Sequence, residues 1–189
     1  YSASKACAEL VIKSYFNSFL NKNKNLKIAV ARAGNVIGGG DWSQNRLVPD
    51  CIKSWTKKKS VVIRNPRSTR PWQHVLEVLS GYLLLALKLK NNSKINGEAF
   101  NFGPKNFQNK SVINLIQELK KGLPNFKWKI KHKKNFYESK LLKLNSKKAK
   151  KKLKWSNKLS FIQTVRMTTI WYKNFYSKKI NILKLSSSQ

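Results

Sequence analysis

Residues 26–42 constrain the fold more than any other stretch. Leu26 to Ala33, with Ile28, Val30 and Ala31 at its centre, is a short apolar run with a β-branched core. Such a run suits a strand buried on both faces, as strands of parallel sheets are. It passes into Arg32-Ala33-Gly34-Asn35-Val36-Ile37-Gly38-Gly39-Gly40-Asp41-Trp42, with four glycines in the seven residues from 34 to 40. Glycines just past a strand let the backbone approach a ligand closely. In open α/β sheets, ligands bind at the carboxyl ends of strands. This loop is therefore the first candidate for a binding site. It is not the G-x-G-x-x-G dinucleotide fingerprint, because no strand–glycine–helix unit of that form is present.

The flanking elements follow the helix–turn–strand order of the later part of a βαβ sheet, so the fold class is α/β. Residues 2 to about 20 keep helical spacing, and Ala6 and Cys7 are small enough to pack closely on a sheet. Asn21 to Asn25 is a polar turn. Arg46-Leu47-Val48-Pro49 opens a helix to about Ser54, and Ser60 to Arg64 is a short strand. Asn65 to Pro71 is a loop, and Trp72 to Val75 is extended. Leu76 to Leu89 is strongly apolar and reads as a buried helix. Glu98 to Phe102 reads as a strand that ends in a turn at Asn101-Phe102-Gly103-Pro104. Ser111 caps a helix to about Lys121, which Gly122 ends. Trp128 to Lys131 reads as a strand. Ser146 caps a short lysine-rich helix ending near Leu153, and Ser160 caps a last amphipathic helix to about Tyr176. The tail from Ser186 is expected to fray.

Composition narrows the partners. A chain of 189 residues can bury a full core, and no apolar run approaches the roughly 20 residues of a membrane span. The net charge of +33 raises nucleic acid as a partner. Lysine, however, is spread along the whole chain, and arginine, the usual reader of phosphate and guanine, is scarce. The aromatic residues lie in apolar periodic segments and not among the lysines. Neither nucleic acid nor membrane is expected as a partner. Cys7 and Cys51 read as reduced, buried thiols, which points to the cytoplasm. His74 and His132 are isolated, without ligand-type neighbours, so each reads as structural or solvated and no metal site is expected.

The first five residues, Tyr1-Ser2-Ala3-Ser4-Lys5, carry the sharpest chemical pattern. In a helix, Tyr1 and Lys5 leave the same face one turn apart. A tyrosine with its pKa of about 10 is a poor base at neutral pH, and a neighbouring ammonium favours its phenolate. Tyr1 then becomes a usable proton acceptor.

Taken with the glycine loop, these stretches resemble the extended short-chain dehydrogenase/reductase family. Tyr1-Ser2-Ala3-Ser4-Lys5 looks like its Tyr-x-x-x-Lys, and Arg32 to Gly38 looks like its Arg-x-x-Asn-Val-Tyr-Gly. Arg70-Pro71-Trp72-Gln73-His74-Val75 looks like its Arg-Asp-Trp/Phe-x-Tyr-Val. Asn101-Phe102-Gly103 looks like its Asn-x-Gly, and Lys152-Leu153-Lys154-Trp155 looks like its late Leu-Gly-Trp. Within the family, Gly38-Gly39-Gly40-Asp41-Trp42, Ile63-Arg64-Asn65-Pro66 and Arg70 to Glu77 resemble the CDP-glucose 4,6-dehydratase branch. Pro71 stands where the broader family has Asp, which fits that branch. Lys154 stands in place of the late glycine.

The resemblance implies a Rossmann-like parallel sheet, here its C-terminal part, plus a smaller α/β nucleotide-sugar-binding domain. Residues 1–34 and about 72–102 would belong to the NAD domain. Residues about 35–71 and 103–185 would form the substrate domain, with 186–189 a frayed tail. The implied cofactor is NAD, and the implied substrate is CDP-glucose or another nucleotide-sugar. Tyr1 would move the C4 hydroxyl proton and, with Lys5 and Val36, touch the cofactor. Asn35, Arg46, Leu47, Arg64, Arg70 and Asn101 would bind substrate. The forked donors of Arg70 suit a diphosphate. The family's Gly-rich cofactor loop and Thr-Ser/Thr-Asp motif precede Tyr-x-x-x-Lys, so the missing N-terminal half is expected as a partner and these residues alone are expected to be inactive. A homodimer is implied for the complete protein.

Overall fold

The structure is a computed structural model that describes residues 2–23, 25–105, 109–131, 142–177 and 181–189. β1 (Val30–Ala33) and β6 (Ala99–Phe102) pair in parallel, with Val30 opposite Ala99 and Ala33 opposite Phe102. β2 (Asn35–Ile37) pairs in parallel with β5 (Trp72–His74). Only Gly34 separates β1 from β2, so one extended segment changes partner there. A side chain at Gly34 would set its Cβ 2.8 Å from Pro71 Cγ and 2.9 Å from Pro71 O. Pro71 makes the matching break between β4 (Thr69–Arg70) and β5.

A third parallel pair joins β3 (Ser60–Ile63) to β8 (Lys127–Ile130), and β4 runs antiparallel to β7 (Lys110–Ser111). Parallel neighbours need crossover connections. α3 (Val75–Asn91) lies in the path from β5 to β6, and α4 (Val112–Gly122) in the path from β3 to β8. The other helices are α1 (Ser2–Tyr15), α2 (Leu47–Thr56), α5 (Phe161–Ser177) and α6 (Ile182–Ser188).

Two buried clusters hold these elements. Phe100 and Phe102 of β6 pack with Leu85, Ile95, Leu153 and Trp155. The second cluster joins α2, β3, α4 and α5 through Ile52, Ile63, Leu115, Ile116, Val165 and Tyr172. The sequence accounts for each contribution. In β3, Val61 and Ile63 are buried while Ser60 and Val62 are exposed, the period of two of a strand. In α4, Val112, Leu115, Ile116 and Leu119 form one helical stripe. The expected caps are present. Ser111 Oγ accepts from Asn114 N at 3.2 Å, and Asn114 Oδ1 accepts from Ser111 N at 3.1 Å. Ser160 Oγ accepts from Gln163 N at 3.2 Å, and Gln163 Oε1 accepts from Ser160 N at 2.8 Å.

The structure corrects several expectations. Cys51 is buried, and burial pushes its thiol pKa up, but Cys7 is exposed. α1 buries no residue completely. Its half-buried stripe is Glu9, Ile12, then Phe16 and Leu20 of the π-helical turn that continues it, and the small residues lie off that stripe. α3 is not buried throughout. Val78, Gly81 and Leu85 face the core, with Gly81 against Phe102, while Leu79, Leu83 and Leu87 are exposed. Its apolar residues run all round the helix, and only one stripe meets this chain's core.

The tail forms α6, capped by Asn181 Oδ1, which accepts from Leu183 N at 2.9 Å. Ser186 Oγ accepts from Trp171 Nε1 at 2.8 Å, which ties the tail to α5. Ser146 does not cap by its side chain, which donates to Gly103 O at 3.4 Å; Asn145 Oδ1 accepts from Lys147 N instead, at 2.9 Å. His74 is structural: it is buried, and its Nδ1 caps α3 by accepting from Leu76 N at 3.4 Å. Burial holds its pKa below the usual histidine range. His132 lies outside the described residues. Among the described residues, no helix is long and apolar enough to cross a membrane.

Candidate active site

A cleft of about 680 Å³ opens between the β1–β2 segment, the start of α2 and the end of β3. Along its first wall lie Gly34, Asn35, Val36 and Gly38. Its second wall is the N-terminus of α2. Arg46 is the N-cap residue in an extended conformation, with no side-chain cap, and its carbonyl accepts from Asp50 N at 2.9 Å. Leu47 and Val48 therefore bring first-turn amides that have no acceptor within the helix, and Pro49 brings no amide at all. The positive end of the helix dipole lies at the same place, an arrangement suited to an anion.

Three arginines, Arg46, Arg64 and Arg70, line this cleft. Arg70 is buried, and its Nη1 donates to Thr69 O at 2.9 Å, which fixes the guanidinium in the wall. Arg64 is exposed at the end of β3. The carboxylates among the lining are Asp41 and Asp50. Burial pushes the Asp41 carboxyl up, but the Ser43 hydrogen bonds and the charges of Arg46 and Lys53 outweigh it and hold it below the ordinary range. Asp41 is therefore ionised at neutral pH, with its Oδ2 3.6 Å from Arg46 Nη1. The arginines and the helix end outnumber the acids, so the cleft is chemically fitted to a negatively charged ligand.

Of the residues expected to form the site, Asn35, Val36, Arg46, Leu47, Arg64 and Arg70 come together here. Lys5 is exposed on α1 and does not line the cleft. Tyr1 lies outside the described residues. Asn101 is also absent from the lining. It sits on β6 opposite Arg32, where its Oδ1 accepts from Arg32 Nη1 at 3.2 Å and its Nδ2 donates to Asn145 O at 3.2 Å. Arg32 also makes a two-pronged ion pair with Glu9 of α1.

Sequence reasoning missed what holds the glycine loop. Trp171 covers Gly39 so closely that a Cβ there would lie 2.1 Å from Trp171 Cδ2. The Tyr172 hydroxyl accepts from Asp41 N at 3.0 Å and donates to Asp41 O at 2.6 Å. Burial pushes the Tyr172 hydroxyl pKa up to about 12, so it keeps the proton it donates. The Trp-Tyr pair in an amphipathic helix was legible only as core.

Residues 1–168 match the family model described as GDP-mannose 4,6 dehydratase. The chain is 39% identical over 178 residues to CDP-glucose 4,6-dehydratase of Salmonella typhimurium, covering 92% of this chain and 50% of that protein. It is 25% identical to UDP-glucose 4-epimerase of Mycoplasma pneumoniae, covering 94% and 55%. The chain thus spans about half the length of the curated relatives it matches. Among solved structures, UDP-glucuronic acid 4-epimerase from Bacillus cereus superposes with a TM-score of 0.76 at 22% identity, covering 92% of this chain and 52% of that one. The dTDP-glucose 4,6-dehydratase from Bacillus anthracis gives 0.74 at 22%, covering 94% and 53%. These likenesses agree with the α/β fold of parallel strand pairs. On the extent of the family match, the chain belongs to the GDP-mannose 4,6 dehydratase family, among the extended short-chain dehydrogenases/reductases.

Proposed function

We propose that the protein is an NAD-dependent nucleotide-sugar 4,6-dehydratase that converts CDP-glucose to CDP-4-keto-6-deoxyglucose and water. The observation that carries this reading is the cleft itself: three arginines and the open amides of α2 line one cleft, beside a glycine-rich strand end. The branch of the family is argued from the 39% identity to the Salmonella dehydratase. The product class would feed deoxysugars into cell-surface polysaccharide in the cytoplasm.

The residues present fit the cofactor at its reacting end. Gly34, Asn35 and Val36 put bare backbone and a small apolar side chain at the carboxyl end of β1, where open α/β sheets take nucleotides. When bound there, NAD supplies the hydride acceptor and donor that dehydration through a 4-keto sugar requires. Tyr1 takes the C4 hydroxyl proton, and the ammonium of Lys5 favours its phenolate. Asn35 holds the sugar side of the substrate. Arg70, Arg46, Arg64 and the amides near Leu47 bind the diphosphate and nucleoside. In this reading the cluster around Phe100 and Phe102 belongs to the cofactor domain, and the cluster around Leu115 and Ile116 to the substrate domain. The exposed leucines of α1 and α3, Leu10, Leu83 and Leu87 among them, are available to a second copy in a homodimer.

The test is turnover of CDP-glucose by the complete gene product with NAD, read by mass as loss of water. Tyr1→Phe is expected to lower kcat by about 10²–10⁴-fold, the worth of general acid–base catalysis. Arg70→Ala is expected to raise KM with little change in kcat, because a diphosphate contact is made equally in the ground and transition states. The same assay on residues 1–189 alone is expected to give no product. A product epimeric at C4, with no water lost, would replace dehydratase by epimerase.

A further inference from the structure

The glycine loop is held from the far end of the chain. Gly39 lies under the Trp171 indole, and Gly40 adopts a φ of +81°, open to glycine and strained for other residues. Trp42 packs edge-on against Trp171, with ring centroids 5.8 Å apart, and lies 5.0 Å from Phe175. Trp42 Nε1 donates to Tyr176 OH at 3.1 Å. Both backbone polar groups of Asp41 bond to one hydroxyl, that of Tyr172, which is fully buried. α6 closes this assembly from behind, where Ser186 Oγ takes the Trp171 indole N–H and Gln189 Nε2 donates to Met167 O at 3.0 Å. On the other side of the loop, the Asp41 carboxylate meets Arg46 at the mouth of the cleft.

We infer that Tyr172 is a positioning residue: its hydroxyl fixes the Gly38–Asp41 loop and, through Asp41, sets Arg46 to meet an anionic ligand. Tyr172 does not line the cleft and acts only through the loop. The α5–α6 pair is then a brace for the binding site as well as part of the core. The ligand half of this inference rests on the nucleotide-sugar reading above.

Tyr172→Phe removes the hydroxyl and keeps the ring, so the core stays filled. Hydrogen exchange across residues 38–46 reads the loop without any ligand. The hydroxyl makes both bonds to Asp41, so at about 0.5–1.5 kcal/mol for each, exchange there should quicken by roughly 5- to 150-fold, with α5 itself unchanged. Ser186→Ala, which leaves every loop residue in place, should act in the same direction and more weakly. Calorimetry with CDP as the probe then reads the site. Tyr172→Phe should weaken CDP binding in the parent protein, and should add nothing in an Arg46→Ala background, because contacting residues in series are not additive. Unchanged exchange at 38–46 would overturn the inference. So would faster exchange with CDP affinity intact, or an equal loss in the Arg46→Ala background. Should the parent protein fail to bind CDP while the loop still loosens in Tyr172→Phe, the nucleotide reading fails and the brace stands.

Discussion

At the scale of residues, Lys154 is at odds with its own backbone. It terminates the π-helical turn Ala149–Leu153 with φ +62° and ψ +22°, the left-handed conformation. There the Cβ of an L-residue crowds the following carbonyl, at a cost of about 1–2 kcal/mol, and glycine does not. The family resemblance puts a glycine at this place, and the left-handed backbone supplies the reason. Lys154→Gly is therefore expected to stabilise the fold by about 1 kcal/mol, since glycine gives back part of the gain through its freer unfolded chain. For a domain of this size that is a rise in Tm of roughly 2–4 °C, read by thermal denaturation. A lowered Tm would mean that the Lys154 side chain contributes more than the conformation costs.

At the scale of elements, α1 is a lightly anchored helix. It buries no residue fully, and one polar attachment is the Glu9–Arg32 ion pair, whose guanidinium is shared with Asn101 of β6. The hydrogen bond from Arg32 holds the Glu9 carboxyl below its ordinary value of 4.5, against the opposing effect of burial. A carboxyl lowered in the folded state adds stability above its unfolded value and loses it as pH falls through the folded one. α1 is expected to loosen as the pH drops below 4.5, seen as faster hydrogen exchange over residues 2–15 before the rest of the chain. Glu9→Gln should exchange fast at neutral pH and lose that pH dependence.

What could be read from sequence divides along the same line. The caps at Ser111 and Ser160 were legible, because each rests on chemistry within a few positions; Asn35, Arg46 and Arg70 came forward only through the family resemblance, and the structure gathers them at one cleft. The exposed faces of α3 and Cys7 were not, since an all-round apolar helix does not say which side is covered. The Tyr172–Asp41 bond joins residues 131 apart, and no local pattern announces it.

At the scale of the whole molecule, charge decides the response to solvent. Forty basic side chains face seven acidic ones, so most cations repel one another in the compact state. Salt shortens the reach of that repulsion to a few ångströms. Raising NaCl from about 20 mM to about 0.5 M is expected to raise Tm by several degrees. The few surface ion pairs, Glu98 with Lys148 and Lys152 among them, weaken under the same change. Each such pair is worth about 0–1 kcal/mol, too little to reverse the sign. A Tm that falls with salt would show that the lysines are locally compensated.

The partner change at Gly34 also sets an order of events during synthesis. β1 waits for β6, and β2 waits for β5, so the two halves of one extended segment are satisfied at different times. Residues 72–74 leave the ribosome well before residues 99–102, and β8, the partner of β3, leaves later still. Pairings so distant in sequence form slowly, because loop closure precedes any return from contact. For that interval the nascent chain carries an apolar strand whose β6-facing edge is still open, the kind of segment that chaperones hold and that neighbouring chains can capture. The glycine that lets one segment serve two sheets thus also fixes when each sheet can begin.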